Sequence, residues 1–363
     1  MCPAPAPANH CHQAGQKHRP DAFYRGEIRS PATARSSPSS LAEGRRVVGI
    51  PVRYTTVTVG GITSLLSFLL FLAGVYVPLL GTVLSLFSAV PLLFSFLYGG
   101  RKSGLIGVGV VTIGVVLLAG IERGGLFVVE YGLTALILTE TLRRGWPPEP
   151  SILTAAGLSL GLGLLLLLFY FNAQQAKPMT VLREELRASV TQMSSFYQEQ
   201  DQEEEQAASL QEYLERIIDI FVYIFPALVI IGALINSTLT YLVGRSVWEK
   251  WGTGARFPPF TLSHWSLPDY FIWSLIVTGF FSFLPLASLR FLARNLLLVV
   301  LFCYLLQGLV IVHFYFEKTK IPLLLRIVGY LLLVIQPVFL FVVTGLGVFD
   351  LWVNFRRIQP KAV

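Results

Sequence analysis

The sequence predicts an all-α, polytopic integral membrane protein of eight or nine transmembrane helices, with one amphipathic helical insertion outside the bilayer. Three observations lead there. The 363-residue chain is 54% hydrophobic and only 13% charged, with a mean hydropathy of +0.64, whereas a soluble domain is about one-quarter charged. Its apolar residues fall in long uninterrupted runs, and about 20 such residues cross a ~30 Å hydrocarbon core as a helix. One sizeable polar stretch, residues 177–219, interrupts the series. This composition excludes an ordinary cytosolic enzyme.

Residues 1–53 read as a disordered basic tail. The first 46 hold six Pro, eight Ala and five Ser with no apolar period, a composition that cannot bury enough surface to fold. It is also the composition of a transit peptide, being basic, Ser-rich and poor in acids. His10, Cys11, His12 and His18 match no tetrahedral zinc spacing, so no metal is expected. Cys2, Cys11 and Cys303 are too few and too dispersed for a disulfide framework. The net charge of +7 comes from basic residues scattered between apolar runs, with no aromatic-interleaved patch. The lipid bilayer, and not nucleic acid, is therefore the expected partner.

Residues 54–176 carry the first membrane helices. Tyr54 to Gly100 is free of charge for 47 residues, roughly 70 Å of helix, and so must cross twice. Gly74 to Pro78 supplies the break, because Pro lacks an amide hydrogen and disfavours helix at the residue before it. Ser103 to Ile121 (19 residues) and Pro150 to Ala176 (27 residues) follow, with a weaker segment at Gly124 to Thr141 that carries Glu130 and Glu140.

Residues 177–219 form the insertion. Within 180–219 three Arg meet ten acids, a net charge of −7. Leu182, Leu186, Val190 and Met193 make one helical stripe, and Leu210, Leu214 and Ile217 repeat it. A helical hairpin or a long helix is expected, either docking a partner or resting its apolar face on the membrane.

Residues 220–363 supply the remaining helices: Ile220 to Gly244 (25), Tyr270 to Leu289 (20), Asn295 to Phe316 (22) and Ile327 to Phe349 (23). Trp146, Trp248, Trp251, Trp265, Trp273 and Trp352 fall at or near predicted span ends, where indole favours the water–lipid boundary. After the last run, Asp350 and Asn354 stand four apart and could share a helical face, with Arg356 at the headgroups. Trp265, Trp273, Asp350, Trp352, Asn354 and Arg356 are the expected interface anchors. With the N-terminus inside and nine crossings, twelve Lys and Arg of the short loops face inward and six outward, which favours a cytoplasmic N-terminus in the cell membrane. The basic C-terminus then sits outside, against that rule. A re-entrant element would relieve the conflict, so the parity stays open.

The chain contains no GxxxxGK[ST], HExxH or GxSxG string, so no catalytic residue, cofactor or enzyme activity is assigned. Gly60 with Ser64, Gly100 with Gly104, and Gly157 with Gly161 stand four apart, as small residues do where membrane helices approach closely. Polar groups at membrane depth cost several kcal/mol unless they face a polar interior or a partner. Glu130 is the strongest candidate, with Tyr131 and Thr134 beside it. Asn236 with Ser237 and Thr238, Gln307, and Gln336 beside Pro337 add polar points on later helices. Glu130, Tyr131, Asn236 and Gln307 are expected to line a midplane solute site. His313, about one turn from a helix end, reads as an interface residue.

Several strings, taken in order, carry a resemblance: YVPLLG at the first turn, PLLFSFLYGGRKSG at the end of the second helix, HWSLPDYFIW (His264 to Trp273), and GLGVFDLWVNFRR (Gly345 to Arg357). Over roughly Tyr54 to Arg357 the chain resembles the YybS-like bacterial membrane proteins, domain-of-unknown-function family 2232. The first helices of that family are similar to the substrate-binding components of energy-coupling-factor transporters. That likeness implies a passive binder of a vitamin or metal that relies on separate coupling subunits with ATPases. Those components often present Ala-x-x-x-Ala on the first helix, where this chain has Gly60 and Ser64. The other function class is a non-transporting scaffold or regulator that docks a membrane partner through residues 177–219.

Overall fold

The structure, a computed structural model, describes residues 52–357 except 78–79, 176–177, 199–203 and 252–256. The expectations for the tail and its histidines lie outside the described residues. Among the described residues the regular structure is all helical.

The first helix, α1 (Val52–Tyr76), turns through α2 (Leu80–Ser85) into α3 (Ala89–Ala119). Gly81 lies against the Ala73 carbonyl, so the chain folds back on α1 where no side chain would fit. Although α3 runs as a continuous assignment, Gly100 inside it is non-helical, with φ 77° and ψ −177°. A straight helix would hold Ser95 and Gly107 about 18 Å apart. Instead, a Cβ on Gly107 would lie 3.3 Å from Ser95 Oγ, and Gly104 sits against the Phe96 ring. The segment is therefore an antiparallel hairpin with Gly100 at its tip, a conformation that L side chains resist. Arg143 Nη2 donates to the Phe96 carbonyl at 2.7 Å, satisfying backbone near the fold.

From Gly120 the chain reverses again into α4 (Ile121–Phe127), a π-helical turn (Val128–Gly132) and α5 (Leu133–Arg143), which together make one span. Next, α6 (Pro148–Gln174) runs antiparallel to it, with Thr134 Oγ1 and Ser159 Oγ 3.1 Å apart. The insertion is a helical hairpin. Its first arm is α7 (Pro178–Gln198), joined to the start of α8 (Glu204–Trp251) by Arg183–Asp219 at 2.6 Å and Arg187–Glu215 at 2.7 Å. The bond to Glu215 holds the Arg187 guanidinium above its ordinary pKa. Since α8 is 48 residues long, about 70 Å, no break separates the insertion from the membrane helix.

The C-terminal part consists of α9 (Ile272–Ser282), α10 (Ala287–Lys318), α11 (Leu323–Ile335) and α12 (Pro337–Val353). Beside α8, Asn295 of α10 accepts from Ala227 N at 3.0 Å and donates to the Tyr223 carbonyl at 3.0 Å. Where α10 and α12 meet, Gly308 lies against the Val343 carbonyl and Gly347 against the Tyr304 carbonyl. Tyr315 OH then donates to the Phe355 carbonyl at 3.0 Å. The chain thus leaves the end of α10 through α11 and returns to that same end through α12.

Among the described residues, six helical stretches are long and apolar enough to cross a membrane, or seven if the bent pair α11–α12 forms one span. That is fewer than the eight or nine expected, for three reasons. Residues 80–119 form one 40-residue apolar stretch, doubled back at Gly100. The Tyr270 to Leu289 run yields only the 11-residue α9, bounded by Pro268 and Pro285. The Ile327 to Phe349 run breaks at Pro337, where Gln336 is extended (φ −106°, ψ 101°) and α11 and α12 diverge by 101°.

The small-residue pairs separate into two kinds. Gly60, Ser64 and Gly104 sit at close contacts, but Gly157 and Gly161 face open space and join no helix contact.

Candidate functional site

Glu130 lies in the π-helical turn, near the middle of the Ile121–Arg143 span. Such turns insert one extra residue into a helix and recur at functional sites. Here the turn packs among α3, α6 and α8. Tyr131 faces inward, its ring 5.7 Å from Phe71 and 5.9 Å from Phe127. Gly132 abuts Val108 of α3. Glu130 itself is half-buried and forms no ion pair among the described residues. A carboxylate at this depth, with no basic partner, is costly to keep charged.

Asn236 of α8 reaches this turn, its Nδ2 donating to the Glu130 backbone carbonyl at 2.9 Å. That bond fixes the amide and leaves Oδ1 as a buried acceptor with no partner among the described residues. Ser237 and Thr240, neither of them exposed at all, likewise present unpartnered hydroxyls. With the Tyr241 hydroxyl, four such atoms fall within two helical turns, which is unusual, since buried polar groups are almost always satisfied. Elsewhere in the chain the buried hydroxyl of Thr139 bonds the carbonyl four residues back, at 2.7 Å. Thr240 does not, so this face of α8 keeps hydrogen-bonding capacity free beside the π turn.

Gln307 does not join Glu130 and Asn236. Its Nε2 donates to Asp350 Oδ2 at 3.2 Å, and its Oε1 accepts from Leu267 N at 3.4 Å. The expected set of four therefore divides, with Glu130, Tyr131 and Asn236 in one place and Gln307 in a second polar cluster. Arg356 Nη2 pairs there with Asp350 Oδ2 at 2.7 Å, and the two side chains are 1% and 6% exposed. Arg356 Nη1 also donates to the carbonyls of Ser263 (3.1 Å) and Trp265 (2.6 Å). Ser263 Oγ bonds Glu317, whose other oxygen lies 3.4 Å from His313 Nε2, and His313 Nδ1 meets Tyr330 OH at 3.1 Å.

This corrects the anchor assignment for Asp350 and Arg356, which are buried and paired instead of facing headgroups. The cause is that α12 ends at Val353 and Asn354 turns left-handed (φ 44°, ψ 62°), swinging Arg356 back over the helix end. Asn354 therefore lies past the helix and does not share a face with Asp350. Trp273 and Trp352 are each 64% exposed, and Trp265 is half-buried. Trp248 is buried and packs on Phe94 and Tyr98. Gln336 is exposed at the bend.

Sequence reasoning passed over Thr240, Ser263, Glu317 and Tyr330. Thr240 was within reach, because it stands four residues after Asn236 and so shares its helical face, whereas Thr238 does not. Nothing in the sequence pairs Ser263 with Glu317.

Two comparisons relate the chain to known proteins. The chain is 25% identical over 305 residues, 82% of its length and 96% of the relative's, to the "Uncharacterized protein YybS" of Bacillus subtilis (strain 168). No solved structure matches it. The family described as "Predicted membrane protein (DUF2232)" matches residues 65–351. The chain belongs to this DUF2232 family of membrane proteins.

Proposed function

We propose that this protein is a small-solute binding or transport component of the cell membrane, with its site at Glu130, Tyr131 and Asn236. One observation carries the reading: Glu130, an acid within an apolar span and without a basic partner among the described residues, lies in the π turn whose backbone Asn236 binds, and α8 there leaves Asn236 Oδ1 and the Ser237 and Thr240 hydroxyls unsatisfied. A solute bearing hydrogen-bond donors or positive charge would satisfy them together. The resemblance of the first helices to substrate-binding components of energy-coupling-factor transporters supports a passive binder served by separate coupling subunits.

The test is thermal unfolding of the purified full chain across a panel of vitamins and metal ions. A true ligand at about 100 times its dissociation constant adds about 2.7 kcal/mol of stability. Glu130→Gln and Asn236→Ala should abolish that shift, and a panel that moves the wild-type midpoint nowhere overturns the reading.

Orientation follows from charge. Arg101, Lys102, Arg143, Arg144, Lys318 and Arg357 gather at the end of the bundle that holds the Gly100 tip and the end of α10, whereas the acidic hairpin of α7 and α8 leaves the other end. By the positive-inside rule the first end is cytoplasmic. The return of α12 to the end of α10 brings Arg356 there too.

The second reading, a scaffold or regulator, is favoured by the unbroken α8. A partner held at the hairpin would pull on the helix that carries Asn236. Deleting residues 180–215 and losing a co-purifying protein would support it.

A further inference from the structure

Between α8 and α10, where both helices enter their apolar runs, lies a groove of about 520 Å³ lined by Asp219, Ile220, Tyr223, Ile224, Arg294 and the leucines 297 and 298. Its chemistry is graded. Ile220, Ile224, Leu297 and Leu298 give it apolar walls, and both ionisable groups stand at the mouth, immediately before those runs in each helix.

The two ionisable groups are not equivalent. Asp219 is spent on Arg183 at 2.6 Å. Arg294 is exposed, lies 6.0 Å from the centre of the Tyr223 ring, and makes no ion pair among the described residues. With Arg183, Asp219 and Arg294 counted together, the mouth carries one uncompensated positive charge. The ring holds the guanidinium over the groove while leaving its donors free. A planar fork of donors at the membrane boundary matches phosphate oxygens, and the walls beneath match an acyl chain.

We propose that this groove is a binding site for an anionic phospholipid, its phosphate on Arg294 and one acyl chain along Ile220, Ile224 and Leu298. The occupant is an amphiphile and not a soluble anion, because the cationic mouth opens directly onto apolar walls. It is not a zwitterionic lipid, because the mouth has no free carboxylate to receive an ammonium group: Asp219 is already paired. The site is separate from Glu130 and stands whether or not a solute binds there.

The test is native mass spectrometry of the full chain in detergent, with dioleoylphosphatidylglycerol or dioleoylphosphatidylcholine added. The wild type should retain the glycerol lipid in preference. Arg294→Gln should lower that retention about fivefold, the weight of one basic residue at a lipid surface. Arg294→Lys, which keeps the charge, should retain most of it. Arg123→Gln, which removes an exposed arginine elsewhere, should change nothing. Equal retention of the two lipids by the wild type, no loss in Arg294→Gln, or an equal loss in Arg123→Gln overturns the proposal.

Discussion

The Asn295 side chain of α10 bridges the Ala227 N–H and the Tyr223 carbonyl of α8, at 3.0 Å each. These two backbone groups are the i and i−4 pair of a regular helix, and they flank Pro226, which itself contributes no N–H. An amide donates and accepts at once, so one side chain serves both groups and ties α10 to α8 at the proline.

Replacing Asn295 with Leu keeps the volume but removes all of these bonds. The loss should be about 1–2 kcal/mol, at the upper end for interhelical hydrogen bonds in membranes because two backbone groups beside Pro226 lose their side-chain partner. Denaturant titration of the purified protein measures it. An unchanged midpoint would show that the bridge contributes nothing.

The buried Asp350–Arg356 pair yields a sharper prediction. Arg356→Met leaves a carboxylate buried with only Gln307 and the Phe355 N–H as partners, and should cost about 3–5 kcal/mol. Asp350→Asn/Arg356→Met together should cost less than Arg356→Met alone, since the stranded charge is gone. Thermal midpoints of Asp350→Asn, Arg356→Met and the double variant decide it, and strict additivity would sink the idea that the pair acts as a unit.

The fold at Gly100 predicts a cross-link. Cysteines placed at Ser95 and Gly107 should join spontaneously or under mild oxidant, because their side chains meet across the hairpin. On a straight helix they would lie about 18 Å apart and never react. Gel mobility with and without reductant reads the result.

Glycines at real crossings should differ from those facing outward. Gly308→Ala and Gly347→Ala push a methyl group into the backbone of the opposing helix, and should lower stability by about 1–3 kcal/mol. Gly157→Ala and Gly161→Ala meet nothing, and should be neutral or stabilising by up to about 1 kcal/mol through helix propensity. A reversed order would refute the assignment of these faces.

The two carboxylates marked at the sequence level had opposite fates. Glu130 was legible because an acid inside an apolar run is conspicuous whatever surrounds it, and it does lie within a span. Asp350 was legible only as a charge beyond a run, and the left-handed turn at Asn354 then buried it. Asn236 met Glu130 across 106 positions, whereas Gln307, equally polar and equally central in its run, met Asp350. Composition records that each needs a partner and is silent on which.

By itself the sequence determined the solvent: apolar runs of about 20 residues leave no choice but helices in a bilayer, because every backbone group must be satisfied within its own segment. It also determined where the polar insertion falls and that the chain belongs among polytopic membrane proteins. Tertiary structure decided how many runs become straight spans, which group each buried amide meets, and at which end of α10 the helix α12 finishes. Those outcomes depend on a positive φ at Gly100, a bend at Pro337 and a turn at Asn354, single-residue torsions that redirect tens of residues while hardly altering the hydrophobicity a sequence displays.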